Sequence, residues 1–541
     1  VAFPDFTPTV PVFIRRVAQH HGTKSLIALG DQRISYAEAS RRSARLARGL
    51  LAQGAGKGTR IGILMPNGPD WVIAWLAVTR IGAIAVPLNT FFQTRELAWI
   101  LRHADIDTLL SVSSFLNHDY LERLEAAAPG LAHASGPRLH IPALPYLRSV
   151  YVWGDAGRAW AASGVGLAEA GGDSATVDDV FLAAVEESVV PSDPMLILYS
   201  SGSTADPKGA VHSHGSVLRH SYNLVSQRDI RVDDVIWSPM PFFWVGGLVF
   251  SFLGGMHRGA SMVVEEVFDP EQTLQFLERE RVTVAAGWPH FGQALADHPT
   301  RQERDLSALR AGNLPGILPE EIVASDPEQR PNALGMTETC GPHTWSPEGP
   351  LPNELRGSFG RAVEGLEHRV IDPESREILG PGEFGEICVR GYSLMQGLYK
   401  HEREAVFEPD GFYRTGDGGY FDADGVLYFK GRLGDMIKTG GANVTPSEVE
   451  AVLLSFPEVR AAYVVGIPDP ERGQSVAASV LLETGVQADP EQLRTRVKAE
   501  LSAYKVPTYL FIDPEGALPF TDTGKIDKRR LEQLLAKRIA G

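Results

Sequence analysis

Apolar and polar positions follow two rhythms along the early chain. RRSARLARGLLAQG (41–54) repeats apolar residues at helical spacing and stops at a glycine, and RIGILMPNG (60–68) is a short apolar run closed by a turn. The first pattern predicts an amphipathic helix and the second a buried strand. WVIAWLAVTRIG then reads as a helix and AIAVPLN as another buried strand. Strand, helix and strand at this interval predict a parallel sheet. Between 129 and 174 the chain is rich in Ala, Gly and Pro without clear periodicity, so loops and short connections are expected there. Regular patterning resumes near Met195. A second break falls at KGRLGDMIKTGGANVTPSEVE (430–450), where glycines separate a strand-like VLYF from a helix opened by Thr445 and Pro446, suited to the N-cap and first helical positions. EVRAAYVVGIPD and SVAASVLLE read as strands and PEQLRTRVKAEL as a helix, giving a small α+β domain of about a hundred residues. No internal repeat is found.

Bulk properties narrow the class. A chain of 541 residues exceeds one core and suits two or more domains. With 43% hydrophobic and 22% charged residues it has the composition of a globular protein. The formal charge of −16 argues against a nucleic-acid partner, because phosphate contacts need a basic footprint. Any phosphate must be handled locally. Cys340 and Cys388 lie far apart, with no metal-cage or disulfide spacing, so a reducing cytoplasm is expected. With Asp5, Arg15 and Arg16 near the start and no recognisable address in the last residues, neither a secretory leader nor a sorting signal is expected. VIWSPMPFFWVGGLVFSFLGGM (235–256) is uncharged for about a bilayer's thickness, but Pro239, Pro241 and four glycines favour a buried loop and helix lining a cavity over a membrane span.

The chemistry concentrates in short motifs. LYSSGSTADPKG (198–209) sets hydroxyls and a glycine directly behind an apolar run, then a single lysine. Backbone amides freed of bulk, hydroxyl donors and a mobile cation make a nest for an anion. The motif is not the nucleotide-binding GxxxxGK[ST] loop, since Lys208 follows Pro207 and no Ser or Thr follows it to hold magnesium. LGMTET (334–339), YRTGD (413–417), GRLGDMIK (431–438) and TDTGKIDKRRL (521–531) come after it in that order.

Together these five motifs resemble the adenylate-forming superfamily: acyl-CoA and aryl-CoA synthetases, the adenylation domains of peptide synthetases, and beetle luciferases. The resemblance runs from ISYAEA near Ile34 to the C-terminal lysine segment and is nearest to a free-standing acyl-CoA synthetase. It implies an α/β fold, with a large N-terminal domain (1–433) of helix-flanked sheets plus a small β-barrel-like part, and a smaller mobile α+β C-terminal domain (434–541). By the same resemblance Ser200, Ser201, Gly202, Ser203, Thr204 and Lys208 hold the β- and γ-phosphates of ATP. Leu334, Gly335 and Met336 lie with Thr337 in the nucleotide site, Thr337 touching the α-phosphate, and Glu338 binds Mg2+. Asp417 accepts the ribose hydroxyls. Arg432 makes a second ribose or phosphate contact, and Lys438 belongs to the same binding set. Lys525 is the catalytic cation, brought from the small domain to where carboxylate and α-phosphate meet.

The implied reaction has two steps, both carried by positioning and charge neutralisation. A carboxylate attacks the α-phosphate of ATP and expels pyrophosphate; the thiol of coenzyme A then displaces AMP to give a thioester. The family serves both steps by swinging the small domain about a hinge, which here matches Gly434, after which Gly440 and Gly441 face the pantetheine tunnel. Three positions depart from the common pattern: Leu334 stands where relatives often carry Tyr on adenine, Ala442 where Glu is common, and Trp244 where His is frequent. Phe242, Phe243, Trp244, Gly246, Gly247 and Trp288 are expected to build the acyl pocket for a small-molecule carboxylic acid that is apolar and aromatic, cyclic or medium-chain. HSH (212–214) lacks a third metal ligand and reads as strand or loop. A carrier-protein-loading enzyme and a non-catalytic nucleotide-binding relative stay open beside the CoA ligase, as does a homodimer.

Overall fold

Buried apolar runs of four to seven residues become the strands of two stacked-helix sheets in a computed structural model describing residues 3–136, 138–200, 207–433, 437–444, 446–520 and 526–540. The larger sheet runs in the order Gly397–Leu398, Lys208–Ser213, Pro194–Ser200, Ile84–Pro87, Arg60–Leu64, Thr108–Val112, Ser149–Trp153, Ala162–Ser163. Its centre is parallel: Arg60–Leu64 lies between Ile84–Pro87 and Thr108–Val112, in register Ile61 to Ala85 and Ile61 to Thr108. All four residues of Ile84–Pro87 are buried, as a strand covered on both faces requires. A second sheet, ordered Ala311–Gly312, Val284–Ala285, Val235–Trp237, Ser261–Val264, Ser25–Leu29, Gln32–Ser35, is parallel except for its last hairpin. Four antiparallel strands, Leu366–Ile371, Gly385–Gly391, Tyr413–Phe421 and Leu427–Arg432, make the small sheet.

The helices fall where periodicity predicts them. Tyr36–Ala52 opens on Ser35, whose hydroxyl accepts the Glu38 amide, and Pro69–Arg80 opens on its own proline; both bury apolar faces in one core with Trp71 and Trp75. The stretch 129–174 holds more than loops. Ser149–Trp153 pairs in parallel with Thr108–Val112, and Gly164–Asp173 is a helix. That helix lacks a conventional apolar stripe because it packs through glycine. A Cβ on Gly171 would lie 2.1 Å from the Arg45 carbonyl oxygen, and one on Gly49 would lie 2.2 Å from that of Leu167. Small residues let the helix backbones touch, and the hydrophobic pattern is correspondingly faint.

The uncharged stretch 235–256 is the short strand Val235–Trp237, a π-helix over Gly246–Leu253 and the helix Gly254–Arg258. Among the described residues no helix is long and apolar enough to cross a membrane. Chain contacts divide the molecule into two units: Val1–Thr90, Leu101–Tyr199 and Gly209–Gly431 form one, and Phe91–Ile100, Ser200–Lys208 and Arg432–Gly541 the other. The second unit has its own core, built where Pro446–Leu454 and Pro490–Glu500 cover the hairpin of Val459–Asp469 and Gly473–Leu482. Lys505, 2% exposed, is held within this unit between Glu448 (2.8 Å) and Glu96 (2.7 Å), which answers the cost of burying its charge.

Candidate active site

GMTETCGP folds as a tight hairpin, with Gly335 opposite Pro342 and Met336 opposite Gly341. Glycine is needed at 335, since a Cβ there would sit 2.5 Å from the Gly341 and Pro342 backbone. Thr339 locks the turn: its Oγ1 accepts the Met336 amide (3.1 Å) and its hydroxyl donates to the Gly341 carbonyl (2.6 Å). Two further bonds fix the tip, one of them to the large sheet. His212, fully buried, donates from Nε2 to the Thr337 carbonyl (2.8 Å), and the Met395 amide donates to the Glu338 carbonyl (2.8 Å). Burial pushes the His212 imidazole down to about 4, so it is neutral at pH 7. The other histidine of HSH, His214, accepts the Val10 amide at Nδ1 (3.2 Å). The pair is therefore structural, one member holding the hairpin and the other the N-terminal helix. Leu334 is buried in an apolar cluster with Ile387, Val389, Met395 and Leu427, which joins the hairpin's entry to the small sheet.

Asp417 lies on the strand Tyr413–Phe421 of that sheet and is 2% exposed. Its backbone is set by its neighbours. The Asp417 amide donates to Thr415 Oγ1 (3.0 Å), whose hydroxyl donates to the Ile387 carbonyl (2.7 Å). Glu386 accepts both Arg414 Nε (2.7 Å) and the Gly416 amide (3.0 Å). Gly416, at φ +72°, takes the left-handed turn that aims the next carboxylate. His212, Thr339, Thr415 and Glu386 escape sequence reasoning because their work is done through backbone bonds; the Thr flanking each motif is the one visible sign of it.

The aromatic candidates divide. Phe243, Trp244, Trp288 and Phe291 form a continuous group, with Trp244 edge-on to Trp288 at 5.5 Å and Trp288 stacked on Phe291 at 5.8 Å. Phe242 turns the other way and packs in the core against Trp71 (5.1 Å) and Phe252 (5.3 Å). A Cβ on Gly247 would lie 2.1 Å from the Pro241 carbonyl, and one on Gly246 3.0 Å from Met240 Sδ. Both glycines admit the preceding chain against the π-helix. Such a helix strains regular hydrogen bonding and is frequent at functional sites.

In the second unit Arg432 closes the strand Leu427–Arg432 and Lys438 is exposed on Ile437–Thr439. Gly440 (φ +55°) and Gly441 (φ +80°) form the two-residue hairpin turn to Ala442–Val444, which needs positive φ at both places. Ala442 is buried, so a glutamate would not fit the same orientation without burying a charge. Ser200 is the last residue of one strand and Lys208 the first of another, while Ser201, Gly202, Ser203, Thr204, Gly434 and Lys525 lie outside the described residues. Among the described residues no group of three His, Cys, Asp or Glu could hold a metal. Glu338, a hard carboxylate 7% exposed, suits a cation whose other ligands are phosphate oxygens.

Helix-flanked parallel sheets, a Thr-Glu hairpin and a buried carboxylate on a small antiparallel sheet are the features of an adenylate-forming enzyme. Residues 13–399 match the family model for AMP-binding enzymes, and residues 448–525 match that of the AMP-binding enzyme C-terminal domain. The chain belongs to the AMP-binding enzyme family. It is 32% identical to feruloyl-CoA synthase of Amycolatopsis sp., covering 96% of both chains. It is 31% identical to the 3-[(3aS,4S,7aS)-7a-methyl-1,5-dioxo-octahydro-1H-inden-4-yl]propanoyl:CoA ligase of Mycobacterium tuberculosis, covering 97% of this chain and 99% of the relative. Among solved structures, the amide bond synthetase McbA from Marinactinospora thermotolerans superposes with TM-score 0.78 at 27% identity, covering 96% of this chain and 99% of that one. The protein is an AMP-forming carboxylic acid:CoA ligase, using ATP and coenzyme A.

Proposed function

We propose that the acid is ring-bearing and largely apolar. The observation that carries this is the aromatic group Phe243–Trp244–Trp288–Phe291, whose edge-to-face and stacked rings form a continuous apolar surface of the kind that recognises rings. The names of the two relatives, a feruloyl-CoA synthase and a fused-ring propanoyl:CoA ligase, support the same class.

In this reading the substrate carboxylate attacks the α-phosphorus of ATP, one P–O bond forming as the bond to pyrophosphate breaks. Lys208 and the hydroxyls of 200–204 balance the departing charge, and Thr337 and Lys525 balance the charge gathering at the α-phosphate. Glu338 would hold Mg2+, which supplies charge neutralisation to the phosphates. Asp417 orients the ribose. The thiol of coenzyme A then attacks the acyl carbon and AMP leaves, with the C-terminal unit turning about Gly434 between the two steps. Two buried free thiols, Cys340 and Cys388, suit the reducing cytoplasm as the place of action.

A panel of carboxylic acids, read by pyrophosphate release with coenzyme A present, tests the substrate class. Arylpropenoic and bicyclic acids should give kcat/KM values at least tenfold above those of straight-chain acids of equal carbon number, roughly the gain of one well-packed ring. A preference for short or dicarboxylic acids would overturn the reading.

A further inference from the structure

The stretch SPMPFFW (238–244) carries the first half of the aromatic group, and its prolines leave it few bonds of its own. Proline has no amide hydrogen and keeps the residue before it extended, so across 239–242 only the Met240 and Phe242 amides can donate. The chain then turns, the Trp244 amide donating to the Pro241 carbonyl (3.2 Å). Phe242 and Phe243 are the central residues of that turn and leave it in different directions. Phe242 enters the core against Trp71 (5.1 Å) and Phe252 (5.3 Å), and Phe243 lies edge-on to Trp244 (5.1 Å), which meets Trp288. Which ring goes where is set by how the turn is rotated about its entry at Pro241.

One side chain holds that entry on both sides. Asn67 donates from Nδ2 to the Met240 carbonyl (2.9 Å), and its Oδ1 accepts the Phe242 amide (2.8 Å). A carbonyl can only accept and an amide only donate, so the orientation of the carboxamide is fixed by its partners. Asn67 lies between the strand Arg60–Leu64 and the helix Pro69–Arg80, at the carboxyl end of a central parallel strand, where sheets of this kind set residues that serve a ligand. The π-helix limits the same turn, since a Cβ on Gly247 would lie 2.1 Å from the Pro241 carbonyl oxygen. In PNG an asparagine is an ordinary turn residue. Bonds to a loop 173 and 175 positions away give it a second task.

We propose that Asn67 is a positioning residue that sets the choice of acid: by gripping the main chain on either side of Pro241, it fixes the rotation that sends Phe242 into the core and leaves Phe243 and Trp244 with Trp288. The proposal rests on the reading of that aromatic group as the surface that recognises the acid's ring. Ring contacts depend on the angle between the rings, so a turn free to rotate loses ring recognition first, while a flexible chain adapts to the altered surface.

Asn67→Ala, assayed by pyrophosphate release with the other substrates saturating, should raise the KM for arylpropenoic acids about tenfold, roughly the worth of one hydrogen bond. The KM for straight-chain acids should stay within about threefold and that for ATP within about twofold. Asn67→Asp has the same shape, keeps the acceptor for Phe242 and loses the donor to Met240, so its effect should fall between the parent and Asn67→Ala. It carries the test if the alanine variant does not fold. A residue that only stabilised the fold would lower the rate with every acid alike and leave the ratio of their kcat/KM values unmoved; that result overturns the proposal. Trp244→Ala separates the proposal from the reading beneath it. If that variant keeps the preference for rings, the aromatic reading fails and the proposal with it. If it loses the preference while both Asn67 variants keep it, the aromatic reading stands and the clamp fails.

Discussion

At the scale of single residues, burial decides protonation and so decides what a side chain can do. His212 can carry the Thr337 carbonyl because it is neutral; a charged imidazole there would have no compensating partner. Glu265 shows the opposite case. It accepts Trp237 Nε1–H (2.9 Å) and Thr273 Oγ1–H (3.1 Å), yet burial pushes its carboxyl up from 4.5 to about 7. Between those values the folded chain keeps a proton that the unfolded chain has released, so stability falls as pH rises through that window and levels off above it. Glu265→Gln keeps an acceptor for Trp237 and abolishes the titration. Thermal unfolding should show the variant more stable than the parent at pH 8, by on the order of 2 kcal/mol, with the advantage gone at pH 5.

At the scale of elements, close backbone approach explains what periodicity does not. The helix Gly164–Asp173 meets Tyr36–Ala52 through Gly171 and Gly49, and its sequence GVGLAEAGGD gives no stripe to read. Gly171→Ala puts a methyl 2.1 Å from the Arg45 carbonyl, a backbone atom that cannot step aside. It should cost about 1–3 kcal/mol in urea unfolding. Gly172→Ala is the control: its Cβ meets only the flexible end of the Arg45 side chain, at 3.4 Å, so stability should be unchanged or slightly raised by helix propensity. Equal losses in the two variants would contradict the glycine crossing. The same logic covers Gly247, expected to shape a pocket and found to admit the Pro241 carbonyl.

At the scale of the whole molecule, one acyl group must meet two partners in turn, and the cation proposed for the first step, Lys525, belongs to the C-terminal motif TDTGKIDKRRL. If Lys525 serves only the first step, Lys525→Ala should slow acyl-adenylate formation about 10²–10³-fold, the usual effect of removing one transition-state donor. Thioester formation from synthetic acyl-adenylate and coenzyme A should persist. Pyrophosphate release and acyl-CoA yield, followed separately, check both halves; parallel loss of the two would deny the division of labour.

The sequence by itself determined the family, the helix-flanked parallel sheets and the order of the motifs. These depend on local chemistry: caps and periodicity for helices, short apolar runs for strands, and short runs of small, hydroxyl and charged residues for the motifs. It could not separate Phe242, which turns into the core against Trp71, from Phe243 and Trp244, which join Trp288, because adjacent aromatics differ only in the direction the backbone aims them. Nor could it show the strand Ser149–Trp153, the glycine crossing, or a tie from His103 to Tyr199 across 96 positions of chain. Those were decided by tertiary structure alone, since each is a contact between residues far apart in sequence, where no local preference leaves a mark.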